Sequence, residues 1–103
     1  MVNNIGDKDY KTKTGKGNAV IDFYADWCGP CKIMAPAFEK VGKEVKNIEF
    51  FRVNVDDNQE AADAFGIRSI PTIIFLKDGQ ELDRIIGVMP EAVFKSKVEK
   101  AFK

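Results

Sequence analysis

Ala19-Val20-Ile21-Asp22-Phe23-Tyr24-Ala25 is apolar on both faces of an extended chain, with Asp22 as the one break. A strand can bury both faces only if other elements cover it from above and below. The segment therefore reads as the centre of a sheet held between two layers. At 103 residues the chain is long enough for one core of ordinary size. The expectation is a single domain spanning residues 1–103.

The patterns on either side fit that placement. Cys31, Met34, Ala35, Phe38, Val41, Gly42 and Val45 recur at helical steps directly after the strand. Ile48–Val55 returns to strand chemistry. A second helix is expected from about Asn58 to Phe65, capped by Asp57 with Glu60 three residues on and stopped at Gly66. Thr72–Lys77 is a strongly apolar strand, and Asp78-Gly79 signals a tight hairpin into Glu81–Ile86. Pro90 opens a last helix with Phe94, Val98, Ala101 and Phe102 on one stripe. Ahead of all this, Val2–Ile5 suits a short edge strand and Lys8–Thr14 a weak helix. The sum is βαβαββα with a βα prefix. That order makes an α/β fold, a central mixed sheet of four to five strands with helices on both faces.

Bulk composition removes several function classes. Sixteen basic residues balance sixteen acidic ones, so no global field points to nucleic acid or an anionic membrane. The mild excess at Lys8, Lys11, Lys13 and Lys16 is that of a solvated face. No run approaches the roughly 18 apolar residues of a membrane span. Met1–Gly6 lacks the start of a secretion signal, so the expected location is cytoplasmic. There is no histidine, which excludes His-based acid–base and triad chemistry.

The only two cysteines stand in Trp27-Cys28-Gly29-Pro30-Cys31. A structural zinc needs four Cys or His ligands, so one chain cannot close such a site without a second copy, and no metal is expected. A disulfide across so short a loop constrains little of the unfolded chain. A redox role has positive support. If the helix begins near Cys28, unpaired backbone N–H groups and the helix dipole favour a thiolate there. Cys31, one turn in, is expected to be more covered and Cys28 exposed. Helical spacing brings the sulfurs within bonding reach, and Gly29-Pro30 suits a tight entry. A C-x-x-C beside βαβ patterning is a strong redox signal.

Asp22-Phe23-Tyr24-Ala25-Asp26-Trp27-Cys28-Gly29-Pro30-Cys31-Lys32 resembles the active-site segment of the thioredoxin family. The likeness continues through Pro36, Asn54-Val55-Asp56, Gly66-Ile67-Arg68-Ser69-Ile70-Pro71-Thr72, Asp78-Gly79 and Gly87, over about residues 19–103. It implies the thioredoxin fold and a protein-disulfide reductase without bound cofactor. Its implied partners are disulfide-containing target proteins and a separate thioredoxin reductase as electron donor, with the chain itself a monomer.

The resemblance also implies roles for single residues. Cys28 is the implied nucleophile and Cys31 the resolving thiol. Asp22, which by its residue pattern alone is either a buried acid or one that finds water or caps a neighbour, becomes the acceptor of the Cys31 proton. Pro71, otherwise readable as an ordinary trans proline, becomes the cis proline of a loop facing the dithiol. That loop exposes the backbone of Ile70 to an extended substrate segment. Trp27, Gly29, Pro30, Ile70, Gly87 and Val88 form the implied docking patch. Pro36 is structural, and its missing N–H is expected to kink the long helix.

Two departures from the family pattern stand out. Many thioredoxins carry lysine where Arg52 stands. If Arg52 faces Asp22, a permanent cation opposes the effect of burial on the acid. The N-terminal segment is also short, so its strand and helix are expected to be truncated or poorly packed. Two other functions compete with reduction. One is an oxidant or isomerase of the same fold, although oxidising relatives tend to carry histidine between the cysteines. The other is a partner-binding module without redox turnover.

Overall fold

In the computed structural model, which describes residues 2–103, Ala19–Tyr24 of that run lie in the middle strand of five. In chain order the elements are β1 (Val2–Asn4), α1 (Tyr10–Thr14), β2 (Asn18–Tyr24), α2 (Gly29–Glu44), β3 (Glu49–Asn54), α3 (Gln59–Ala64), β4 (Thr72–Lys77), β5 (Gln80–Ile86) and α4 (Glu91–Ala101). The sheet runs β1-β3-β2-β4-β5. β1 and β2 lie parallel to β3, whereas β4 is antiparallel to both β2 and β5. The mixed sheet has the upper of the two expected strand numbers.

Alternation along β2 divides the core. Ala19, Ile21 and Phe23 face Tyr10 of α1 and Ala61 of α3. Val20 packs on the other side with Met34, Phe38 and Val41 of α2 and Phe94 and Val98 of α4. Phe38 is fully buried, its ring 5.4 Å from Phe50 and 5.7 Å from Phe94. Burying each such ring contributes about 2–3 kcal/mol. β2 is thus held rigidly from both faces, and its C-terminal end feeds directly into the two cysteines. α2 runs on through Pro36.

The hairpin forms as its sequence requires. Asp78 (φ 50°) and Gly79 (φ 82°) both occupy the left-handed region, the combination that a two-residue turn between twisted strands needs. Asp78 Oδ1 accepts the Gly17 N–H at 2.8 Å and ties the turn to the start of β2.

Two expectations need correction. Asp57 does not cap α3. Asn58 holds the N-cap position without a side-chain cap, and Asp7 Oδ1 accepts the Ala61 N–H at 2.8 Å instead. Asn58 Oδ1 in turn accepts the Asp7 N–H at 2.9 Å. The cap arrives from the other end of the chain, where a local pattern cannot register it. At its C-terminal end α3 is also held from outside, by Arg84 Nη2 donating to the Phe65 carbonyl at 2.8 Å. The N-terminal segment is short but not poorly packed. β1 pairs in register with β3, Tyr10 and Thr14 are buried, and the Thr14 hydroxyl donates to the Tyr10 carbonyl at 2.7 Å. Among the described residues, no helix is long and apolar enough to cross a membrane.

Candidate active site

Cys28 is the N-cap of α2. Its backbone is extended, Gly29 and Pro30 make the first helical turn, and proline there forfeits no hydrogen bond because no carbonyl waits for its N–H. The Cys28 sulfur accepts the Cys31 N–H at 3.2 Å and lies 3.8 Å from the Ile70 carbonyl oxygen. Both cysteines are free thiols. The expected contrast between an exposed and a covered sulfur is corrected, because Cys28 is only 4% exposed and Cys31 1%. Ala25 is buried with the pair, and Tyr24, Val55 and Ile70 pack against that cluster. Burial pushes the Cys31 thiol up to about 12, reinforced by its hydrogen bond to Cys28 and by the charges of Cys28 and Asp22, while the Ala25 backbone opposes.

Asp22 is completely buried and stands opposite Arg52 in the β2–β3 register. Arg52 does face it: Nε donates to Asp22 Oδ2 at 3.1 Å. Burial nevertheless wins. It raises the carboxyl from 3.8 to about 6 against the charge and hydrogen bond of Arg52, with Glu39 adding a smaller upward push. Among the described residues, Asp22 Oδ1 has no hydrogen-bond partner. The Arg52 guanidinium also lies over the Tyr24 ring, 3.8 Å from its centre. A cavity of about 140 Å³ opens among Tyr24, Ala25, Asp26, Cys31, Lys32 and Arg52, and it is roomy enough to admit water beside Cys31 and the guanidinium.

The remaining sequence-selected residues converge on the same end of the sheet. The Ile70–Pro71 peptide is cis. Ile70 is half-buried beside Cys28, whereas Pro71 is buried and shows little surface. The Pro71 carbonyl accepts the Gly87 N–H at 2.9 Å, which joins the two loops of the expected docking patch. Gly87 adopts φ +96°, a conformation that side-chain-bearing residues rarely take. Val88 is exposed, as are Gly29 and Pro30, and Trp27 is 70% exposed. A groove of about 280 Å³ runs beside Trp27 and Ile70, with Val55, Ile67, Asp63 and Arg68 on its walls. A roomier concavity of about 510 Å³, among Lys16, Lys43 and Lys46, borders the opposite end of β2 and is remote from the cysteines.

Sequence reasoning missed two residues here. Asp56 Oδ2 accepts the Trp27 indole N–H at 2.8 Å, and its own N–H is held by Asn54 Oδ1 at 2.9 Å. The available signal was an exposed tryptophan whose N–H needs an acceptor. Tyr24, which bears the Arg52 guanidinium, carried no signal beyond its place in the strand.

A dithiol at a helix N-terminus beside a buried acid can cycle between thiol and disulfide. Comparison with known proteins agrees. The thioredoxin family profile matches residues 2–100. The chain is similar to the thioredoxin of Mycoplasmoides gallisepticum, 44% identical over 94 residues that cover 91% of this chain and 93% of that one. It is also similar to the thioredoxin of Bacillus subtilis strain 168, 37% identical over 95 residues and covering 91% of each. A solved thioredoxin structure from Malassezia sympodialis superposes with a TM-score of 0.89 at 34% identity, over 99% of this chain and 94% of that one. The chain therefore belongs to the thioredoxin family and is a small thiol–disulfide oxidoreductase that reduces disulfides in other proteins.

Proposed function

We propose that Cys28 is the nucleophile, Cys31 the resolving thiol and Asp22 the acceptor of its proton. The Cys28 thiolate attacks one sulfur of a target disulfide, forming a mixed disulfide and expelling the first target thiolate. Asp22, ionised above about 6, takes the Cys31 proton. The Cys31 thiolate then attacks Cys28, closing the internal disulfide and releasing the second target thiolate. Two electrons pass from the dithiol to the target.

The observation that carries this order is the hydrogen bond from Cys31 N–H to the Cys28 sulfur. Charge and hydrogen bonding at Cys28 hold the Cys31 proton in place. Once Cys28 has joined a mixed disulfide, those influences vanish and Cys31 becomes easier to ionise. Resolution thus follows attack.

Trp27, Gly29, Pro30, Ile70, Pro71, Gly87 and Val88 form the docking surface in this reading, with the Ile70 backbone pairing an extended target segment. The chain acts as one domain and as a monomer in the cytoplasm, where thiols are kept reduced. It carries electrons for redox homeostasis and is itself re-reduced by a separate thioredoxin reductase. Limited alkylation of the reduced protein at neutral pH, mapped by mass spectrometry, tests the assignment. Cys28 should be modified first, and prior or equal modification of Cys31 would reverse the roles.

A further inference from the structure

Arg52 is gripped from two sides. Its Nε donates to Asp22 Oδ2 at 3.1 Å, and its guanidinium carbon lies 3.8 Å from the centre of the Tyr24 ring. Tyr24 follows Asp22 by two positions on β2, so both side chains leave the same face of the strand. Arg52 stands opposite Asp22 on β3 and spans the pair. A guanidinium is planar, weakly hydrated and suited to an aromatic face, unlike the ammonium of a lysine. The Arg52 side chain is 17% exposed, so without the ring its head has a route to solvent.

We propose that Tyr24 is a positioning residue of the redox site, whose ring clamps the Arg52 guanidinium against Asp22. The clamp fixes the cation beside the group that exchanges a proton with Cys31, and in this it rests on the role proposed for Asp22. Of the other charged or titratable groups nearby, Glu39 and Cys31 of α2 interact with Asp22, and Asp26 and Lys32 line the cavity beside Arg52. β4 presents the apolar Ile73 opposite Asp22. Among the described residues, Arg52 is the cation that pairs with Asp22 and counters its burial. Loosening it leaves Asp22 more often protonated at neutral pH and slows removal of the Cys31 proton.

The test is the titration of the Asp22 carboxyl, followed by carbon-13 NMR, together with the pH dependence of disulfide reduction. Tyr24→Phe keeps the ring and should titrate like the wild type. Tyr24→Leu, or the more adaptable Tyr24→Met if leucine impairs folding, keeps apolar bulk without the ring. The Asp22 midpoint should rise by about one unit, and the acid limb of reduction should move with it. In an Arg52→Lys background the same replacement should add little, because the ring has no guanidinium plane to hold. An unmoved or lowered midpoint in Tyr24→Leu and Tyr24→Met overturns the clamp, a lowered one meaning that hydration rather than cation release dominates. A midpoint that rises while the acid limb stays put supports the clamp and overturns the proton-acceptor role of Asp22.

Discussion

The backbone N–H of Cys31 points at the sulfur of Cys28 from 3.2 Å. One residue therefore supplies the donor that steadies the first sulfur and, in the proposed cycle, the thiol that later displaces the target from it. The link exists because Cys28 is an N-cap, and a cap side chain accepts an N–H from within the first helical turn. A sulfur takes the place that serine or aspartate fills in an ordinary helix. Capping chemistry and redox chemistry here share one hydrogen bond.

Burial of the Asp22 carboxyl should lower the stability of the fold at neutral pH. The carboxyl lies at about 6 when folded against an ordinary 3.8, so the folded state binds the proton more tightly. Stability should fall as pH rises through that window and level off above it. Asp22→Asn should be more stable than the wild type by about 3 kcal/mol at about pH 8, the gap closing by about pH 3. Denaturant titrations across pH check this; a gap that widens toward acid would reverse the sign.

Asp56 should act on substrate binding through Trp27. Asp56→Ala removes the acceptor of the indole N–H and frees an exposed ring next to the groove. The expected outcome is a KM for a protein disulfide raised about three- to fivefold, with kcat nearly unchanged. Steady-state turbidity assays separate the two constants. A fall confined to kcat would place Asp56 in the chemistry instead.

Asp7→Ala should cost about 1 kcal/mol and lower the melting temperature by about 5 °C, because α3 loses the side chain that accepts its Ala61 N–H. Asp57→Ala, which removes the cap favoured by the sequence pattern, should be close to neutral. Calorimetry of the two variants decides between the local and the long-range cap.

The contrast between Asp7 and Asp57 shows where sequence reading stops. Periodicity found β2, α2, β4, the hairpin and α4, because an apolar pattern must repeat wherever a face is buried. The dithiol, its place at the helix start and the loop at Pro71 were legible too. What stayed hidden were partnerships between distant segments. Asp7 with Ala61 and Arg84 with Phe65 leave no local trace. The Asp22–Arg52 pair was foreseen only as a condition, since strand register decides it. The burial of Cys28 leaves no local trace either, because Val55 and Ile70, from distant segments, pack against the cluster that contains it.

The most direct test of the central claim is capture of the mixed disulfide. Reduced Cys31→Ser protein, mixed with an oxidised model substrate and quenched with acid, should accumulate a covalent complex joined through Cys28, while Cys28→Ser forms none. Peptide mapping of the trapped species identifies the bonded cysteine. A stable adduct through Cys31 in Cys28→Ser, with none through Cys28 in the converse variant, would contradict the assigned order of attack.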